Sequence, residues 1–267
     1  MISQHGNAHW QLLRYVTAEW SWNLMSSSPN IRVSHFILPD LPTTNNVEHQ
    51  QYFLESVPKD KRIVTIAAAN HNRESLIQRG KEEDFGLEHV SKYLVVGGNH
   101  KGKASGLGLT SIDALRILQE QSPMGTEIWG VTNPNDESSI RDVEIKIESG
   151  IQGFVTQPLL SSRAIEIFKS YPRHSNICYI AGVAFPKSVP NLLLWLKLLG
   201  QQDLLQDELF KQHLEYFSDA RNSNTVSWVQ NELHNLCGLA IDGVHFMPIN
   251  NIADFLTLTN PSISPSD

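Results

Sequence analysis

Three places in this 267-residue sequence set polar side chains at the ends of apolar runs. Glu19 closes Tyr15-Val-Thr-Ala, Asn99 follows Tyr93-Leu-Val-Val-Gly-Gly98, and Thr156-Gln157 follow Gly153-Phe-Val. A carboxyl group such as that of Glu19 becomes a proton donor near neutral pH when partial burial raises its pKa. The carboxamides of Asn99 and Gln157 each offer a donor and an acceptor together. If the runs are parallel strands, all these residues reach one rim of the sheet, the end at which α/β proteins bind ligands. Taken singly, each is also an ordinary solvated strand end; their joint placement favours a site.

Other motifs carry less. Gly97-Gly-Asn-His-Lys-Gly102-Lys103-Ala104 has the spacing of a phosphate loop. Ala104, however, stands where a Ser or Thr hydroxyl would bind magnesium, and Ser105-Gly-Leu-Gly prolongs the loop where a helix should begin. It reads as a substrate or cofactor loop, and no glycine pattern of a dinucleotide fold is present. Of eleven histidines only His5 and His9 are spaced as a helical pair, with Gly6-Asn7 between them. His245 lies inside a strand and reads as a hydrogen-bonded core or site-lining residue. Metal: none is expected. Cys178 and Cys237 each adjoin an apolar run and read as buried free thiols.

Eight strands must position these groups: Tyr15–Glu19, Arg32–Ile37, Arg62–Ala67, Tyr93–Gly97, Glu127–Val131, Gly153–Gln157, Ile177–Gly182 and Gly243–Met247. Helical patterns follow most of them, at about 46–57, from Asn72 to Gly80, 111–121, from Asp136 to Gly150, 189–200, 207–217, 226–237 and 251–258. Strands apolar on both faces and alternating with helices predict a parallel sheet covered on both sides. The fold class expected is α/β, a single (β/α)8 TIM-type barrel over residues 1–259 with a flexible tail over 260–267. Only thirteen residues separate Glu19 from Val33, so the first crossover helix is short or missing. A net charge of -7 with no basic patch excludes a nucleic-acid surface and an anionic membrane as partners. The start Met1-Ile-Ser-Gln-His is not that of a secretory signal, and no long apolar run follows, so a cytoplasmic setting is expected.

Several of these stretches together resemble the methylenetetrahydrofolate reductases. Asp142 to Gln157, with Lys146, Gly150 and Phe154-Val-Thr-Gln157, is similar to that family's sixth-strand signature. Tyr93 to Asn99, Tyr15 to Glu19, Asn72-Arg73 and Asp242-Gly-Val-His-Phe-Met-Pro-Ile-Asn250 are similar to further segments in the same order. The resemblance runs from about residue 15 to 258. It implies reduction of 5,10-methylenetetrahydrofolate to 5-methyltetrahydrofolate with FAD, and with NAD(P)H as hydride donor. By the same resemblance Glu19 is the general acid. Gln157, Asn99 and Thr156 would bind the folate, while Thr65, Gly98, Asn99 and Lys146 would bind the flavin, Lys146 near its phosphates.

The sequence departs from the family pattern mostly on the flavin side. Asn99 and Gly97 stand for an aspartate and an arginine, Thr65 for a histidine, and Val131-Thr-Asn-Pro-Asn-Asp136 lacks the family's tyrosine and histidine. Two alternatives to the reductase therefore stay open. One is a flavin-free, folate-binding one-carbon transferase or hydrolase. The other is a non-catalytic partner subunit of a reductase. A homo-oligomer is compatible with all three.

Overall fold

The computed structural model describes residues 16–21, 30–38, 57–81, 92–97, 108–219, 224–247 and Asp254, with 16–21, 30–34 and 79–81 given by backbone alone. The expected helices at 46–57 and 251–258, the loop from Gly98 to Leu107, His5, His9 and the tail 260–267 lie outside the described residues or almost wholly so. The described residues form eight strands: β1 (Val16–Ser21), β2 (Asn30–Leu38), β3 (Arg62–Ala67), β4 (Lys92–Val96), β5 (Glu127–Thr132), β6 (Gly153–Pro158), β7 (Cys178–Ala184) and β8 (Gly243–Met247).

Seven of them, β2 to β8, run parallel in sequential order and curl into an incomplete TIM-like barrel. The remaining gap is spanned by β1, which pairs with β2 and β8 and runs antiparallel to both. This corrects one expectation and explains another. Parallel neighbours need a crossover of a dozen or more residues, whereas antiparallel neighbours need only a short connection. Ser21 pairs with Asn30, so the chain reverses direction within the thirteen-residue interval, and no crossover helix is required.

The barrel interior is assembled from one apolar residue of each of six consecutive strands: Ile37, Ile63, Leu94, Trp129, Val155 and Ile180. Their sequence neighbours Val64, Tyr93, Ile128, Phe154, Tyr179 and Ala181 point outward into the larger layer between sheet and helices. That layer is closed by α1 (Arg73–Lys81), α2 (Ser111–Gln121), α3 (Ser139–Glu148), α4 (Ser162–Lys169), α5 (Val189–Leu199), α6 (Glu208–Ser218) and α7 (Thr225–Leu236).

Local chemistry sets their limits. Thr110 and Asp113 form a reciprocal capping box at the start of α2, and Asp207 and Asn224 cap α6 and α7. After α3, Gly150 takes φ +84°, a left-handed turn that glycine adopts without strain. The helix α4 was not expected. Its signal is Ser161, whose hydroxyl accepts from the Ala164 amide, followed by Ala164, Ile167 and Phe168 on one buried face. Cys178 is half-buried, but Cys237 is exposed, against expectation, because it lies just past the end of α7.

Candidate functional site

The reversal of β1 decides which predicted residues can meet. Gln157 lies near the carboxyl end of β6, at the rim formed by the carboxyl ends of β2 to β8. Glu19 pairs with Arg32, near the amino end of β2, and so belongs to the opposite rim. The side chain of Glu19 is outside the described residues, but its place in the ladder separates it from Gln157. A strand's sequence does not reveal its direction, and the expected convergence assumed that all eight were parallel.

At the carboxyl rim the β6–β7 ladder is irregular. Val155 pairs with Ile180, and the next pair is Pro158 with Gly182, so β6 carries an extra residue. Such bulges re-aim side chains and recur beside active sites. Thr156 stabilises this one: its hydroxyl accepts from the Gly182 amide at 2.9 Å and donates to the Gln157 carbonyl at 2.8 Å. Gly182 must be glycine. A Cβ there would lie 2.4 Å from the Thr156 carbonyl oxygen. The Thr156 hydroxyl is thus committed to the backbone, and the residue is fully buried.

Gln157 has the opposite character. It lies within the bulge, two positions after Val155, which faces the barrel interior. It is half-buried, and its carboxamide makes no hydrogen bond among the described residues. Beside it, Asn135 is almost wholly buried, 1% exposed. Its Nδ2 donates to Asn133 Oδ1 at 2.9 Å and to the Pro158 carbonyl at 3.2 Å. Two acceptors fix which end of the amide is nitrogen. Asn135 Oδ1 is then a buried acceptor without a donor among the described residues, a state that costs about 1–3 kcal/mol unless water or a ligand supplies one. Asn135 was not among the residues expected in the site; the paired asparagines around Pro134 are the signal in the sequence.

The interior alternation also brings Thr65 on β3 inward, 8% exposed. Lys146 is not at the rim. Its stem lies against the outer face of β5, where Gly130 leaves room for it. Its ammonium donates to the Val131 carbonyl at 2.8 Å and to Asp142 at 2.5 Å, and the residue is 4% exposed. A lysine held between helix and sheet cannot reach a flavin phosphate inside the barrel. Gly98 and Asn99 lie outside the described residues. Of the residues assigned to a flavin, Thr65 and Lys146 are described; the first faces the barrel interior and the second does not. Among the described residues no three of His, Cys, Asp or Glu lie together to hold a metal ion, and no helix is long and apolar enough to cross a membrane.

No protein-family model matches the sequence, and no curated protein matches it. Among solved structures, the chain is similar to an uncharacterized protein from Clostridium thermocellum that binds two copies of 5-methyl-5,6,7,8-tetrahydrofolic acid. The TM-score is 0.54 at 18% identity, over 86% of this chain and 82% of that one. The likeness is one of fold. It agrees with the barrel that the alternation of strands and helices predicted, and it reaches across nearly all of it.

Proposed function

We propose that the carboxyl-terminal mouth of this barrel binds a reduced folate. The observation that carries the reading is Gln157: a half-buried carboxamide at the carboxyl rim, on a bulge that Thr156 and Gly182 hold rigidly, without a partner among the described residues. A primary amide matches the fused aminopyrimidinone edge of a pterin, which presents donors and acceptors side by side. The apolar interior beneath, built from Leu94, Val155 and Ile180, gives the ring a dry floor. That a protein of the same fold binds 5-methyltetrahydrofolate supports this choice of ligand.

A flavin-dependent reduction is not part of this reading, because Lys146 is engaged elsewhere and Glu19 belongs to the far rim. The reading is the flavin-free alternative, a folate-binding barrel of one-carbon metabolism. Calorimetric titration of the purified chain with 5-methyltetrahydrofolate tests it. Saturable binding with a dissociation constant of about 10 µM or tighter is expected, near -7 kcal/mol. Absence of heat at millimolar ligand would sink it.

A further inference from the structure

We propose that His245 is the ionisable residue that contacts the ligand in this mouth, an assignment that rests on the folate reading above. Val244 and Phe246 point into the layer between sheet and helices, so the imidazole between them faces the barrel interior. His245 is 2% exposed. It pairs with Gly182 on β7, and Gly182 pairs in turn with Pro158, next to Gln157. Because Gly182 has no side chain, nothing from β7 stands between the amide of Gln157 and the imidazole of His245. Their strands are two ladder spacings apart, about 10 Å. The Cε of Met247 covers Gly182, 3.0 Å from where a Cβ would be. An unbranched thioether re-packs at little cost, so this cover yields readily to a flat ring.

The reversal of β1 gives the assignment its weight. With Glu19 at the opposite rim, the described ionisable residues of interior alternation beside β1 are His245 and, toward the amino-terminal end, His35, which lies two positions before Ile37 and ahead of the first residue of β3 in the ladder. Both pair with Thr17, on opposite sides of β1. Other such groups face His245 from lower in the barrel. Cys178 lies four residues before Gly182 on β7, and Lys92 and Glu127 pair at the amino-terminal ends of β4 and β5. Glu19 follows Thr17 by two positions along β1, toward that same end. An imidazole both donates and accepts hydrogen bonds near neutral pH, which suits it to ring nitrogens that gain or lose protons.

Calorimetry of the full chain with 5-methyltetrahydrofolate at pH 6.5, in two buffers of different ionisation enthalpy, reads affinity and proton exchange together. Wild type should bind with fractional proton exchange. The variant His245→Gln should bind at least tenfold more weakly and lose that exchange, while His35→Gln keeps it. Wild-type affinity and exchange in His245→Gln overturn the assignment and leave the folate reading standing. A wild-type chain that takes up no folate overturns that reading, and the assignment with it. If His245→Gln does not fold, histidine-ring NMR of the wild type decides, with the ring assigned through its contacts to neighbouring protons on β8. A shift on adding folate supports the assignment, and an unmoved ring overturns it.

Discussion

The two ends of the barrel both carry polar residues inside a ring of strands, yet they use them differently. At the amino-terminal end, Lys92 pairs with Glu127 at 3.1 Å and lies over the Trp129 ring, whose Nε1 donates to the same carboxylate at 2.9 Å. Each of these groups satisfies another. At the carboxyl-terminal end, among the described residues, Gln157 has no partner and Asn135 Oδ1 is buried without a donor. A closed polar set stabilises structure, whereas an open one costs stability and is retained where a ligand completes it. The contrast also explains why the bulge between β6 and β7 is so firmly made. An unpaired amide can select a ligand only if its backbone does not move.

The most severe way to break the contrast is Gly182→Val, which drives a side chain into the Thr156 carbonyl. It should destabilise the fold by about 3 kcal/mol or more and abolish folate binding, as urea melts and calorimetry would show.

Acid is next, and acts elsewhere. His213 on α6 is buried, accepts from Trp228 Nε1 at 3.2 Å, and has its pKa lowered to about 4 by burial, with Asp207 opposing. A depressed histidine contributes stability that is full above its unfolded pKa of about 6.5 and is lost as pH falls through about 4. The contribution of His213 should therefore fall by about 2–3 kcal/mol between pH 6.5 and 4, against Glu232, whose pKa is raised to about 7 by burial and which gains stability over the same range. His213→Phe should flatten this limb of the melting curve, with the folate site untouched. A slope that survives the substitution would assign the acid sensitivity to another group.

Thr156→Val keeps the shape of the bulge but leaves the Gly182 amide buried without an acceptor, at a cost of about 1–3 kcal/mol. Hydrogen exchange at the Gly182 amide should quicken.

The smallest stability changes sharpen the comparison most. Gln157→Leu should leave stability within about 0.5 kcal/mol of wild type and weaken folate binding by about tenfold. Glu127→Gln should do the reverse, losing up to about 1 kcal/mol of stability with affinity unchanged. If both variants behave alike, the two ends do not differ in the way proposed.

Much of this architecture was legible because its signals are local. The limits of β3, β8 and α2 follow from alternation, caps and apolar spacing, and Gly150 marks the end of α3 by the one backbone conformation it permits. What stayed hidden depends on partners distant in sequence. The interval between Glu19 and Val33 is too short for a full crossover helix, but nothing in Val16 to Ser21 states which way the strand runs. The segment containing Lys146 resembles a family motif, yet its ammonium is consumed by Val131 and Asp142 within its own layer. Gln157 was visible as a polar residue at a strand end. The bulge that holds it was not, because it is defined by pairing with a strand some twenty-five residues further on.

The inserted strand has a kinetic consequence. Val16 meets Phe36 after twenty residues of chain, but meets Phe246 only after 230. The logarithmic growth of loop entropy makes the second closure about 2 kcal/mol costlier before any contact repays it. The hairpin β1–β2 should therefore form early and the seam between β1 and β8 late, so the barrel zips shut along the strand that carries His245.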